Sequence, residues 1–266
     1  MDALLPLNRT LVMGILNVTP DSFSDGGRYY TPARALAHAR QMLAEGADII
    51  DVGGESTRPG ATRITPEEEW VRIAPVVETL VSEGVAVSVD TVNSYTAKQA
   101  LAVGVHYLND VSGGLIDSDL LNVVADSQAT YICQHFRGLP SDPAVNLHYD
   151  DVVRDVIAET LTQINRAQRA GIPKNRIIFD PGLGFALSNQ DCWTLVDNLE
   201  ELQACGYPVL IGASRKRFVV ECYGAKRADQ GTAEITRKCA AAGIWGVRVH
   251  SVRDSKRAVG ESSNPS

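Results

Sequence analysis

The chain has 266 residues, 44% of them hydrophobic and 21% charged, with a formal net charge of −7. That length buries a sizeable core without disulfide or metal staples, and the balance of apolar and charged residues excludes long disorder. No apolar run approaches the roughly eighteen residues of a membrane span, and the only basic cluster, Ser214–Arg215–Lys216–Arg217, is too small to suggest a nucleic-acid partner.

In chain order, Met1 to Thr10 carries an early acid (Asp2) and no basic-then-apolar run, so residues 1–9 read as a leader segment, not a signal peptide. Short β-branched runs then alternate with segments of helical spacing. The strand candidates are Leu11–Val18, Asp48–Val52, Val85–Asp90, Tyr107–Asp110, Thr130–Phe136, Arg176–Asp180, Pro208–Ala213 and Trp245–His250. The helix candidates between them cover 32–45, 66–83, 94–103, 117–126, 149–170, 191–204, 231–243 and, as a short last element, 252–259. Thr31–Pro32 and Thr65–Pro66 each place a cap residue before an N1 proline, and Gly46, Gly84, Gly104, Gly171, Gly206 and Gly243 stand where helices should end. Residues 260–266 are expected to fray as a tail.

Strands alternating with helices, most of the strands apolar throughout, predict a parallel sheet buried on both faces. Eight such units within 266 residues predict a single (β/α)₈ TIM barrel, a doubly wound sheet being the alternative. The stretches after the first two strands, Thr19–Tyr30 and Gly53–Thr65, are long βα loops rather than minimal connections. The five cysteines are odd in number and lack a CxxC spacing, which points to free thiols in a reducing cytoplasm.

The strands end in polar residues: Asn17, Asp51, Asp90, Asn109 with Asp110, His135, Asp180, Ser214 with Lys216, and Arg248 with His250. In a barrel these ends share the mouth where active sites lie. Arg58, Lys216 and Arg248 suit the oxygens of a diphosphate. The amides and carboxylates suit a flat heterocycle, with Asp90 and Asp180 accepting from amino or ring N–H groups and Asn109 supplying donor and acceptor together. No HxH or HExxH spacing supports zinc, whereas a magnesium ion carried on substrate phosphate needs only one protein oxygen, for which Asn17 is the candidate. Ser214 lacks a G-x-S-x-G turn, so nucleophilic serine chemistry is disfavoured.

Two long motifs, Met13–Gly27 (MGILNVTPDSFSDGG) and Asp51–Gly60 (DVGGESTRPG), resemble those of the dihydropteroate synthases, pterin-binding barrel enzymes of folate synthesis. Ser88–Thr91, Leu108–Val111, Asp180–Phe185, Gly212–Lys216 and Arg248–His250 follow in that family's order. The resemblance implies condensation of (7,8-dihydropterin-6-yl)methyl diphosphate with 4-aminobenzoate, with Mg²⁺ assisting at Asn17. It implies a pterin pocket of Asp90, Asn109, Asp180 and Lys216. It implies a diphosphate site of Asn17, Thr57, Arg58, Arg248 and His250, and an aminobenzoate site, mimicked by sulfonamides, of Thr57, Arg58, Pro59, Phe185, Ser214 and Lys216. Lys216, Arg58, Asn17 and Asp90 are the residues it marks as catalytic.

The chain departs from the pattern at Ser251, where Asp is common, and at Ala186–Leu187, where many members have a lysine. Glu234 is a third departure, an acid near an expected helix start. The short C-terminus weighs against the homodimer that the resemblance otherwise implies. Two alternatives remain at this level: a pterin-dependent methyltransferase, which has no need of the diphosphate grip, and a pterin-binding paralogue without turnover.

Overall fold

The computed structural model describes residues 9–19, 32–55, 64–138 and 146–262. Thr57, Arg58 and Pro59, most of both long βα loops, and the first eight and last four residues lie outside this set. Eight parallel strands form the sheet: β1 (Leu11–Asn17), β2 (Ile49–Gly53), β3 (Val87–Asp90), β4 (Tyr107–Asp110), β5 (Thr130–Gln134), β6 (Ile177–Asp180), β7 (Leu210–Ile211) and β8 (Gly246–Val249). Their order is β6-β5-β4-β3-β2-β1-β8-β7. The seam between β6 and β7 closes through the parallel bridge Phe179–Val209 and the 2.8 Å hydrogen bond from Phe179 N to Pro208 O. This is the TIM barrel the alternation predicts, and the doubly wound sheet is set aside. β7 (expected at 208–213) is shorter at both ends; at its start, Pro208 has no N–H to donate.

Alternation along each strand separates two cores. Side chains facing outward pack against helices α1 (Pro32–Ala44), α2 (Pro66–Ser82), α3 (Ser94–Ala102), α4 (Asp119–Ala125) and α5 (Val152–Arg169) on the first five units. Facing inward, Leu11, Met13, Ile49, Tyr107, Ile132, Ile178, Leu210 and Trp245 form a separate cluster that plugs the lower barrel. Each fully buried aliphatic side chain of this kind contributes about 1.5–3 kcal/mol. Continuing the inward face upward by two residues reaches Asp51, Asn109, Gln134, Asp180 and Gly212, so the filling changes from apolar to polar at the upper rim.

Most helix boundaries follow local chemistry. Thr65 caps α2 in a reciprocal capping box with Glu68, and all six glycines expected after helices have positive φ. Three expectations change. The helix read across 191–204 is two, α6 (Asn189–Asp197) and α7 (Leu199–Gln203). Asn198 breaks it by bonding its amide back to Thr194 O at 2.7 Å, the competition that makes Asn a poor helix-interior residue. An additional helix, α8 (Arg217–Tyr223), precedes α9 (Ala228–Ala241); it buries Phe218 and Val219 and stops at Gly224.

The last helix, α10 (Val252–Ser262), runs beyond the expected 252–259 and takes in residues 260–262 of the expected tail. Ser251 Oγ donates to Asp254 Oδ2 at 2.8 Å at its start, and Arg237 of α9 binds Glu261 at 2.9 Å near its end. Among the described residues, no helix is long and apolar enough to cross a membrane, and all five cysteines are free.

Candidate active site

Strand register sets the site. Asn17, Gly53, Asp90 and Asn109 are successive partners on β1 to β4, so four neighbouring strands end at one level. Gln134 and Asp180 are likewise paired on β5 and β6. Asp51 lies one layer lower, level with Ile15 and Ser88. Two inward-facing glycines leave room above this floor. A Cβ on Gly53 would come within 3.8 Å of Asp90 Oδ2 and 3.9 Å of Asn17 Oδ1. One on Gly212 would come within 3.8 Å of Lys216 Nζ and 3.9 Å of Asp180 Oδ2.

Arg248 ties the two sides together. Its Nε donates to Asp51 Oδ2 at 2.5 Å and its Nη2 to Asp90 Oδ2 at 2.6 Å. Asp51 also accepts from Asn109 Nδ2 at 3.2 Å. Asn109 Oδ1 is buried without a hydrogen-bond partner, which leaves an acceptor of the kind a flat heterocycle's N–H groups need. Lys216 donates to the Leu183 carbonyl and lies 4.8 Å from the centre of the Phe185 ring. Ser214 Oγ and His250 Nδ1 are 2.9 Å apart, and the His250 backbone N–H donates to the same hydroxyl at 3.1 Å.

Three acids (Asp51, Asp90, Asp180) here face two cations (Arg248, Lys216). Burial pushes the Asp90 carboxyl up to about 7 against the pull of Arg248, with Asp51 adding to the rise. Burial also raises Asp180, opposed by Lys216. Lys216 is pushed down to about 8 by burial, against the attraction of Asp180. For Arg248 burial opposes the charge, but Asp51 and Asp90 outweigh it and hold the guanidinium above its ordinary range. The site thus holds a near-balanced charge cluster whose protonation responds near neutral pH.

The sequence profile of the pterin binding enzyme family matches residues 13–250. The chain belongs to the pterin-binding enzyme family. It is 46% identical over 253 residues to a dihydropteroate synthase of Mycobacterium leprae, covering 92% of this chain and 89% of that protein. The structure of the Xanthomonas albilineans dihydropteroate synthase with 4-aminobenzoic acid superposes with a TM-score of 0.88 at 41% identity, covering 97% of this chain and 93% of the other. A Yersinia pestis dihydropteroate synthase in a sulfonamide drug complex gives 0.89 at 36% identity, covering 97% and 94%.

For this member of the pterin-binding family, the structure brings Asn17, Asp90, Asn109, Asp180, Lys216 and Arg248 to one rim, with Phe185 beside Lys216 and the Ser214–His250 pair on the following strand ends. It does not bring His135 there. Gln134 takes the inward place, while His135 is fully buried and pairs its Nε2 with Glu159 of α5 at 2.9 Å. Asp110 also turns away, accepting from Tyr131 OH at 2.7 Å and from the Gly114 backbone.

Arg248 differs from the expectation of a cation reserved for an anion, because two of its nitrogens already serve carboxylates. Its partner Asp51 has no separate task legible in sequence beyond its place at a strand end. Glu234 is not at a helix start, since α9 begins at Ala228; it accepts from Tyr223 OH at 2.8 Å and ties α8 to α9.

Proposed function

We propose that this chain condenses (7,8-dihydropterin-6-yl)methyl diphosphate with 4-aminobenzoate to give 7,8-dihydropteroate and diphosphate. The observation that carries the reading is the rim of Asp90, Asn109, Asp180, Lys216 and Arg248, with the side-chain-free positions Gly53 and Gly212 set among them, a cleared polar cradle of mixed charge at the barrel mouth. Loss of diphosphate leaves positive charge on the methylene carbon, which the electron-rich dihydropterin delocalises. The aniline nitrogen then attacks that carbon and loses a proton. No protein nucleophile is required; the chain's task is to hold the ring, receive the departing anion and position the amine.

In this reading Asp90, Asn109, Asp180 and Lys216 hold the pterin. Asn17, His250 and Arg248 meet the diphosphate, joined by Thr57 and Arg58 of the second βα loop. Phe185, Ser214 and Lys216, with Thr57, Arg58 and Pro59, shape the aminobenzoate site. Magnesium fits as an ion carried on the diphosphate. Among the described residues no group of three His, Cys, Asp or Glu could hold a metal, while Asn17 offers an amide oxygen at the rim beside Asp90. When bound, the ion would neutralise the leaving group's charge.

The same reading places the enzyme in the cytoplasm, and a homodimer would use the outer faces of the last helices. Purified protein should form 7,8-dihydropteroate only when pterin diphosphate, 4-aminobenzoate and Mg²⁺ are supplied together. No dihydropteroate from that mixture, or methyl transfer from a methylated pterin, would overturn the assignment.

A further inference from the structure

The segment Pro181–Ala186 follows β6 and carries Phe185. Three alternate residues in it have left-handed backbones: Gly182 at φ +67, Gly184 at +78 and Ala186 at +50. The first two are glycines, for which this region is open, but at Ala186 the Cβ makes it disfavoured. A non-glycine residue persists there only when its surroundings hold it.

Those surroundings are visible. Tyr149 OH donates to the Ala186 carbonyl at 3.1 Å, a contact across 37 residues of chain. The tyrosine ring is itself fixed, with the Arg137 guanidinium carbon 3.6 Å from its centroid. Arg137 is held by Glu159 of α5 at 2.8 and 2.5 Å and donates to the carbonyls of Asn146 and His148 at 3.0 and 2.7 Å. His135, whose backbone N–H donates to Asp180 O at 2.8 Å, completes this cluster by binding Glu159. Burial holds the Tyr149 phenol above its usual pKa, so it remains a donor throughout the working range.

The other side of the segment is pinned separately. Gly184 N donates to Cys192 Sγ at 3.3 Å, and Leu183 O accepts from Lys216. Phe185 therefore sits between two left-handed residues, one anchored on α6 and one on Tyr149. We infer that Tyr149 is a positioning residue for the amine-substrate pocket, acting through the Ala186 carbonyl to fix the direction in which Phe185 meets an aromatic amine. The inference rests on the reading of Phe185 as part of the aminobenzoate site. Nothing in the sequence pairs Tyr149 with Ala186.

The test is a double-mutant cycle in the condensation assay with the full chain. Tyr149→Phe removes one hydroxyl and is expected to raise KM for 4-aminobenzoate by about three- to ten-fold, the range of a single neutral hydrogen bond. KM for the pterin diphosphate should stay within about two-fold, since the pterin residues keep all their contacts. Ala186→Gly makes the left-handed backbone open without support. In the Tyr149→Phe, Ala186→Gly double variant most of the lost amine affinity should therefore return, an effect that a loss of general packing would not produce.

Equal rises in both KM values, an unchanged KM for the amine, or strictly additive effects of the two substitutions would overturn the inference. So would a Tyr149→Phe protein that does not fold, because that would make Tyr149 a structural residue. If the unaltered chain forms no dihydropteroate, the functional reading itself fails and the inference falls with it. A normal unaltered enzyme with an indifferent Tyr149→Phe variant removes the inference alone.

Discussion

Arg248→Met is the most informative perturbation of the site, because it removes one cation from two buried acids at once. Asp51 is fully buried and Asp90 is 13% exposed at the side chain, and their hydrogen bonds to Arg248 are 2.5 and 2.6 Å. Two unit charges at about 4 Å attract by about 4 kcal/mol at an effective dielectric of 20. Breaking a buried pair from one side typically costs about 3–5 kcal/mol, because the remaining charge is left uncompensated.

Without the guanidinium the Asp90 carboxyl, which burial already pushes up to about 7, loses the charge that opposes that rise. Its contribution to stability is then fully present below the unfolded pKa of about 3.9 and is lost as the pH rises through the raised folded value. The variant's deficit should therefore be larger at pH 8 than at pH 5. For a chain of this size about 3–5 kcal/mol corresponds to about 5–9 °C in unfolding temperature. Thermal unfolding followed by circular dichroism at both pH values measures this. A variant as stable as the parent at pH 8, or a deficit equal at both pH values, would refute the claim that Arg248 serves the two acids.

Two other expectations concern the same cluster. Asp90→Asn keeps the protonated shape of a carboxyl that burial pushes up to about 7, while Arg248 retains Asp51; it should abolish condensation yet leave the unfolding temperature at pH 8 equal or higher, and a marked fall there would contradict the assignment of Asp90 as a strained, functional acid. Lys216, pushed down to about 8 by burial, is cationic below that pH, so affinity for the pterin diphosphate should weaken as pH rises through about 8. Lys216→Ala should lose most of the activity and, in direct binding measurements, that pH limb; a limb that survives the substitution would place the titrating group elsewhere.

The departures from the family pattern find physical roles away from the reacting groups. Ser251 binds Asp254 at the start of α10, and Glu234 bridges α9 to α8. Leu187 is buried, and Ala186 takes the left-handed turn that Tyr149 supports. None displaces a residue of the rim.

The sequence by itself determines the barrel and most, not all, of the polar residues at its mouth. Strand and helix periods are local, glycines end helices one residue at a time, and each strand carries its polar residue at a position readable within five or six neighbours. Asn17, Asp90, Asn109 and Asp180 were legible for that reason. What only the tertiary structure decides is which charges meet. Arg248 and Asp51 are 197 residues apart, and only closure of the barrel and the register of β8 on β1 and β1 on β2 set them 2.5 Å from one another.

Side-chain direction at strand ends is likewise a matter of one-residue register. His135 and Asp110 look like rim residues in sequence, yet alternation turns both outward. The left-handed backbone at Ala186 has no sequence signal, because an alanine does not choose it; contacts from a distant tyrosine do.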